Sequence, residues 1–305
     1  MKVCVIIPAY NAAETIGIVL TALRQQTFTD FDIILVDDAS TDETAAIAET
    51  YQTQLNLRIL KAPENLGRSR ARDFGIKESP AELILLLDSD IETTSDYVAA
   101  HVALHQKSLN AVGVGVLRYP SHLAGRALAN YYSSRGGARL KPGEPLPGKA
   151  FVSCLASFRR TLYDQIGGFD HRFKVYGGED LDLGLRFQKA GAAMTYLQEA
   201  VGYHHHLRSV LEVMQTLQSY GEQGIPLVFD RHPEFAVEMK LEDLQKGSPR
   251  IWRALITSPI FYYPLLSVVH LLQRHKLPLS LLTYLIYCAY RKGFSRYTRS
   301  AKVKP

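Results

Sequence analysis

Residues 83–90 read Leu83-Ile84-Leu85-Leu86-Leu87-Asp88-Ser89-Asp90, five consecutive branched apolar residues that end in two carboxylates separated by one serine. A run of that composition and length fits a strand buried on both faces, as the strands of parallel sheets are. Two charges at the end of such a strand must be solvated, paired or bound to a cation. The strand delivers its carboxylates to a place where acids are used.

Upstream, VCVIIP (3–8) reads as a strand, and Ile16, Val19, Leu20 and Leu23 have the spacing of one helix face. FDIILV (31–36) is a second buried strand; Ser40-Thr41-Asp42-Glu43 supplies helix-capping types before AAIAET; LRIL (57–60) is a third strand; and RSRARDFGIKES leads as a helix into LILLLDSD. Strand and helix alternate four times within about 90 residues, which predicts a parallel sheet with right-handed crossovers. Such sheets bind ligands at the carboxyl ends of their strands. At those ends stand Pro8-Ala9-Tyr10-Asn11, Asp37-Asp38 and Asp88-Ser89-Asp90. Turn preference explains any one of these groups, but their convergence on one edge favours a ligand site.

Downstream, residues 118–149 read as loop, with Gly136-Gly137 and three prolines between 142 and 147, either a lid or a surface excursion. FVSCLASF (151–158) returns to strand composition. Gly167-Gly168-Phe169-Asp170 follows, and Leu181, Leu185 and the stop at Gly191 predict a helix from near Glu179. Glu179 and Asp180 fall in its first turn, where the helix dipole favours acids. Gly177-Gly178 before them lets backbone or ligand approach closely.

The chain has 305 residues and is 47% hydrophobic, enough for one large core or two smaller ones. Cysteines at 4, 154 and 288 are too few for a disulfide framework, which points to a reducing compartment, with Cys4 and Cys154 in the core. The apolar stretch before Pro8 spans about five residues, short of the roughly 7–15 of a signal-peptide core, so no export signal is expected. The net charge of +5 hides an asymmetry: residues 244–305 carry eleven Lys and Arg and no acid, whereas 1–243 carry 24 basic and 30 acidic residues. That split suggests an anionic surface for the tail and no nucleic acid for the whole.

The tail holds two apolar stretches, IWRALITSPIFYYPLLSVVHLL (251–272) and LPLSLLTYLIYCAY (277–290), with Arg274-His275-Lys276 between them. Trp252, Phe261, Tyr262, Tyr263, Tyr284, Tyr287 and Tyr290 suit a membrane interface. The expectation is a helical hairpin on or dipping into the cytoplasmic leaflet, with a buried packing arm or a dimer interface as the competing reading. His101 and His105, four apart on a helix with no third ligand in view, read as a solvated face.

Taken in order, VCVIIPAYNAAETI, ILVDDASTDET, ENLGRSRARDFGI, LILLLDSD, FVSCLASFRR, IGGFD, YGGEDLDLGLRFQKAG and then YHHH resemble the inverting nucleotide-sugar glycosyltransferases of family 2, over about residues 1–210. The resemblance implies the GT-A fold, a Rossmann-like, mostly parallel sheet flanked by helices, over 1–230. The nucleotide-sugar half would be about 1–117 and the acceptor half about 118–230, followed by a linker at 231–250 and a membrane-associated helical tail at 251–305. It implies a donor site of Pro8, Tyr10 on the base, Asp38 bonding the base, Arg72 near base or phosphates, Asp88 at the ribose, and Ser89. Asp90 would bind a divalent metal, Mn²⁺ or Mg²⁺, that bridges the diphosphate, and Asp180 would be the general base that deprotonates the acceptor hydroxyl, with Glu179 beside it. Asp73 stands where the family more often has Asn.

Three adjacent histidines cannot all face one site; in an extended segment 204 and 206 share a side and 205 turns away. His204 resembles the family's metal-site histidine, with His206 the other choice. The implied activity moves a sugar from a nucleotide-sugar, most often a UDP-sugar in this family, to a hydroxyl acceptor such as a lipid-linked or surface-polysaccharide glycan, at the inner face of the cell membrane. A non-catalytic nucleotide-sugar-binding scaffold is the rival reading. A nucleotidyltransferase is disfavoured, because PAYNAAET lacks the glycines and lysine of a phosphate loop, and no QxxRW-type motif suggests polymer synthesis.

Overall fold

The computed structural model describes residues 1–141, 144–174, 176–238 and 258–303. In chain order the strands are β1 Val3–Ala9, β2 Asp32–Asp37, β3 Leu57–Lys61, β4 Leu83–Leu87, β5 Ile91–Thr93, β6 Ala111–Arg118, β7 Leu155–Arg159 and β8 Ala193–His204. The helices are α1 Ile16–Arg24, α2 Thr44–Glu49, α3 Arg68–Glu78, α4 Tyr97–Lys107, α5 Ser121–Ala124, α6 Ala127–Ser133, α7 Arg160–Gln165, α8 Glu179–Lys189, α9 Val210–Ser219, α10 Ile225–Arg231, α11 Pro233–Glu238, α12 Pro259–Leu271 and α13 Leu279–Val303. The chain divides into two compact units, the first made of Met1–Pro120, Ser133–His171 and Leu183–His206, the second of Ser121–Tyr132, Arg172–Asp182 and Leu207–Pro305.

The first unit is built on one eight-stranded sheet of order β3-β2-β1-β4-β7-β6-β8-β5. Pairings β1–β2, β1–β4, β2–β3 and β6–β8 are parallel, and β7 enters antiparallel between β4 and β6. The first four strands are therefore parallel, as their alternation with helices predicts. β4 is covered on both faces: Leu83, Leu85 and Leu87 join the apolar layer with α1, while Ile84 and Leu86 join the opposite layer with Phe158, Phe187 and Ile76 of α3. Helix α3 lies tight on the sheet because Gly75 leaves room for Ile6 and Val36, which a Cβ there would strike.

Two expectations are corrected. The stretch read as loop at 118–149 contains helices α5 and α6, and α6 buries Ala127, Leu128 and Tyr131, apolar positions that share one side of a helix. His101 and His105 are not a solvated face but are fully buried under the sheet. Ser157 of β7 bonds one nitrogen of each ring, its hydroxyl 2.7 Å from His101 Nδ1 and 2.9 Å from His105 Nε2, while His101 Nε2 and His105 Nδ1 are buried without a partner. Cys4 is buried, as expected, and Cys154 is partly buried.

The second unit is helical. α6, α9, α12 and α13 enclose their own core, in which Leu128, Met214, Leu217, Leu266, Val269, Leu282, Leu285 and Ala289 are buried. The tail thus uses its inner face as a packing arm, the competing reading of its sequence. No helix among the described residues is long and apolar enough to cross a membrane. Of the linker expected at 231–250 and the tail from 251, residues 239–257, including Trp252, lie outside the described residues.

Candidate active site

The carboxyl ends of β1, β2 and β4 share one edge of the first unit, and each presents the residues singled out from sequence. Tyr10 follows β1 with 51% of its surface exposed, while Pro8 is half-buried within the strand. The loops after β1 and β2 are laced together: Thr41 N donates to Asn11 Oδ1 at 2.8 Å, Asn11 N to Ser40 Oγ at 3.0 Å, and Ala12 N to Thr44 Oγ1 at 2.7 Å. Asn11 (φ 49°) and Ala39 (φ 61°) sit in the left-handed region at this edge. For alanine that conformation costs on the order of 1 kcal/mol, strain of the kind that gathers at binding sites.

Asp38, expected against a base, gives one acceptor site of each carboxylate oxygen to a loop, Oδ1 accepting Leu66 N at 2.6 Å and Oδ2 accepting Gly67 N at 3.0 Å, and keeps a second site on each oxygen. Those amides precede α3, so Asp38 fixes where α3 begins. From α3, Arg72 is buried and donates to Asp88 Oδ1 at 2.6 Å, with its guanidinium 5.9 Å from the Phe169 ring centroid. Its neighbour Asp73 accepts from the Tyr163 hydroxyl and meets His171 Nε2, and Tyr163 in turn accepts Phe169 N at 3.1 Å. Burial, then the Asp73 charge, pushes the Tyr163 hydroxyl well above its ordinary range, which keeps it a proton donor.

Asp88, Ser89 and Asp90 form the turn from β4 to β5, closed by Ile91 N donating to Asp88 O at 3.2 Å. The backbone of Ser89 is pinned by the Thr15 hydroxyl at 2.8 Å. Beyond the turn, β5 pairs antiparallel with the end of β8, placing Ile91 opposite His204. His204 Nε2 is 3.0 Å from Asp90 Oδ2, and the His204 ring lies 5.6 Å from that of Tyr119. Burial raises the Asp90 carboxyl, but the His204 hydrogen bond and the charges of His204, His206 and Arg68 outweigh it and hold the group below its usual value. His204 and His205 take different partners, His205 turning to Glu92 at 2.6 Å, and His206 is exposed.

Asp90 Oδ1 and His204 Nδ1 are buried with no hydrogen-bond partner. A carboxylate oxygen suits Mg²⁺ or Mn²⁺, which keep waters and take substrate phosphate oxygens in place of a full protein cage, and an imidazole beside it favours Mn²⁺, the softer of the two. No group of three or more His, Cys, Asp or Glu side chains gathers as a metal site among the described residues. The Asp90–His204 pair fits such an ion as a partial ligand set.

Glu179 and Asp180 belong to the second unit, in the first turn of α8. Gly177 (φ 104°) and Gly178 (φ 97°) precede them, and a Cβ on Gly178 would strike Phe173. Glu179 Oε2 accepts Gly177 N at 2.9 Å, so this acid caps its own turn. Further along the same helix, buried Asp182 takes His232 Nε2 at 2.8 Å and Arg231 Nε at 3.1 Å, anchoring α8 to the segment at the end of α10. Thr15, Arg68, Phe169, Tyr163, His171 and Tyr119 are contributors that the sequence reading gave no role; Thr15, Arg68 and Phe169 lie within its quoted motifs, whereas Tyr163, His171 and Tyr119 carried no signal.

A parallel sheet that ends in these acids, with an antiparallel strand inserted beside β4, is the GT-A arrangement. The sequence model described as "Glycosyl transferase family 2" matches residues 4–167, and one described as "N-terminal domain of galactosyltransferase" matches 137–210. The chain belongs to glycosyl transferase family 2. It is 25% identical over 253 residues to the uncharacterized glycosyltransferase YfnE of Bacillus subtilis, covering 67% of this chain and 64% of that protein. It is 29% identical over 208 residues to the glycosyltransferase AglE of Haloferax volcanii, covering 66% of each. The chain thus spans less than two thirds of the length of these relatives. Its fold is that of the mannosyltransferase PcManGT from Pyrobaculum calidifontis in complex with GDP-Man and Mn²⁺, at TM-score 0.65 and 20% identity over 99% of this chain and 88% of that one.

Proposed function

We propose that the chain transfers a sugar from a nucleotide-sugar, a UDP-sugar first among candidates, to a hydroxyl acceptor with inversion at the anomeric carbon. The observation that carries this reading is the Asp90–His204 pair, each with a buried unpartnered atom, beside the Arg72–Asp88 ion pair. A diphosphate leaving group gains negative charge as the sugar departs, and a bound Mn²⁺ or Mg²⁺ would neutralise it. Asp90 and His204, with His206 as the other candidate, would hold that ion; Arg72 adds a fixed positive charge on the same edge. Exposed Tyr10 and half-buried Pro8 would pack on the base, Asp38 would bond it, and Asp88, with Ser89, would orient the ribose.

Asp180 would accept the acceptor's proton during attack, a role worth about 10²- to 10⁴-fold, and Glu179 would steady its turn. The acceptor would be a lipid-linked or surface-polysaccharide glycan, and the protein would work peripherally at the inner face of the cell membrane. The basic tail and the exposed apolar residues of α12 support that location.

The test is donor turnover with a panel of nucleotide-sugars and Mn²⁺, comparing wild type with Asp180→Asn. Loss of transfer by at least about 100-fold with donor affinity retained supports the base role. Equal turnover by both proteins sinks it, and no turnover of any donor by wild type sinks the enzyme reading.

A further inference from the structure

The second unit holds a cationic cavity that sugar transfer leaves unused. Three arginines, Arg126, Arg208 and Arg274, line a space of about 160 Å³ together with Ser209, Gln273 and two leucines. At roughly 30 Å³ of liquid per water, it has room for a phosphoryl group with part of its hydration.

The arginines come from three separate segments, and Gln273 ties these together. Its carbonyl accepts Ala127 N at 3.0 Å, and its side chain accepts Val210 N at 2.9 Å and meets His270 Nδ1 at 3.0 Å. Arg208 is further held over the Tyr176 ring at 4.9 Å. The N-terminus of α9 is already satisfied, because Ser209 and Glu212 cap each other at 2.7 and 3.3 Å. The charge in the cavity is therefore that of the guanidinium groups. Among the described residues none of the three forms an ion pair with a carboxylate. Like charges gathered without an anion repel, and rigid guanidinium forks match phosphate oxygens.

The neighbouring surface says what carries the phosphate. Helix α12 buries Tyr262, Leu266 and Val269 and turns its other face outward, with Ile260 77%, Phe261 59%, Val268 50% and Leu271 78% exposed. Positions 260, 264, 268 and 271 fall on one helical stripe about 16 Å long, and the stripe runs directly into Arg274 and exposed Lys276. No acid occurs in residues 244–305 to oppose an anionic surface. An apolar stripe flanked by cations is how a helix lies in a bilayer interface.

We propose that Arg126, Arg208 and Arg274 form a phosphodiester headgroup site and that α12 beds its outer stripe into the interface of an anionic bilayer. This deepens the membrane-face reading above and is independent of the donor chemistry. Phosphate and guanidinium supply the specificity, and the stripe supplies depth.

The experiment is co-sedimentation of the full chain with vesicles of phosphatidylcholine alone or mixed with phosphatidylglycerol, alongside donor turnover. The wild type is expected on the mixed vesicles only. Arg126→Gln/Arg274→Gln is expected to weaken that partition about 30-fold, as about 1 kcal/mol per basic residue gives at 1.4 kcal/mol per tenfold. Ile260→Ser/Leu271→Ser, two exposed positions that folding does not need, is expected to weaken it as well, with donor turnover unchanged in both variants. Retained partition of the arginine variant overturns the headgroup site while leaving the membrane reading intact. No binding of the wild type to mixed vesicles overturns both. Saturable binding of inorganic phosphate without vesicle binding would reassign the cavity to a soluble anion and overturn the proposal.

Discussion

His204 Nε2 stands 3.0 Å from Asp90 Oδ2 because β5 and β8 pair antiparallel and set Ile91 opposite His204. The ladder sets His204 beside the turn that carries Asp90, and His205 N donating to Asp90 O at 2.9 Å holds that turn in place, so the two donors are presented together before any ligand arrives. Each retains a buried atom with no partner, and a divalent ion with a diphosphate would satisfy that deficit. Removing either donor, as Asp90→Asn or His204→Ala, is expected to cut transfer by more than the roughly 10- to 100-fold that outer partners of metal ligands are worth. Titration with Mn²⁺ under donor-saturating conditions checks this, since both variants should shift the metal midpoint upward. Full activity of the wild type in excess chelator would sink the assignment.

The Arg72–Asp88 pair has a structural part and a functional part, and two variants separate them. Arg72 is almost wholly buried and its Nη2 sits 2.6 Å from Asp88. Asp88→Ala leaves that guanidinium without its carboxylate and is expected to cost about 3 kcal/mol, the lower end for a broken buried pair because Asp88 itself is 27% exposed. An apolar double variant, Arg72→Met/Asp88→Leu, is expected to regain most of that stability and none of the donor affinity. Urea unfolding and donor titration measure the two halves. A single variant as stable as wild type would mean that the pair holds nothing together.

How much of this was legible in the sequence depends on whether the cause was local. The parallel half of the sheet was, because each strand is a short branched-apolar run and each helix repeats every three to four residues. The acids at the strand ends were legible for the same reason: Asp88 and Asp90 follow an uninterrupted run. The insertion of β7 between β4 and β6 was not, since it is a pairing across about 70 residues that no local pattern encodes. Strand β5, only three residues long, was equally silent. His101 and His105 looked polar and exposed because Ser157, which bonds one nitrogen of each, lies more than fifty positions away.

Those two histidines make a prediction about acid. Burial, with the charge of His105 on one ring and of Arg159 on the other, holds His101 down to about 3 and His105 down to about 4, against 6.5 ordinarily. Below pH 6.5 the unfolded chain takes up protons that the fold refuses, so their contribution is fully present above that pH. It is lost as pH falls toward 4, at up to about 1.4 kcal/mol per pH unit for each ring. His105→Gln is expected to halve that difference in slope between pH 5 and 6.5, measured as the urea midpoint at closely spaced pH values. An unchanged slope would show that the rings do not stay neutral in the fold.

Helix α8, which begins with Glu179 and Asp180, is seated through a glycine contact rather than a side-chain one. A Cβ on Gly184 would fall on the backbone carbonyl of Gly148 and on Phe151 Cβ, neither of which can rotate away. Gly148 is itself held there by donating its N–H to Gln188 Oε1 at 2.6 Å. Gly184→Ala is therefore expected to cost about 1–3 kcal/mol through overpacking and to lower the thermal midpoint by several degrees. At Gly191, which ends the same helix at φ 76°, an added Cβ would meet nothing within 4 Å. Its constraint is conformational alone, so Gly191→Asn should change stability little and Gly191→Ala by about 1 kcal/mol. Calorimetry on the three variants distinguishes the two kinds of glycine. If Gly184→Ala melts with wild type, the Gly148 contact does not seat the Leu183–Lys189 part of α8.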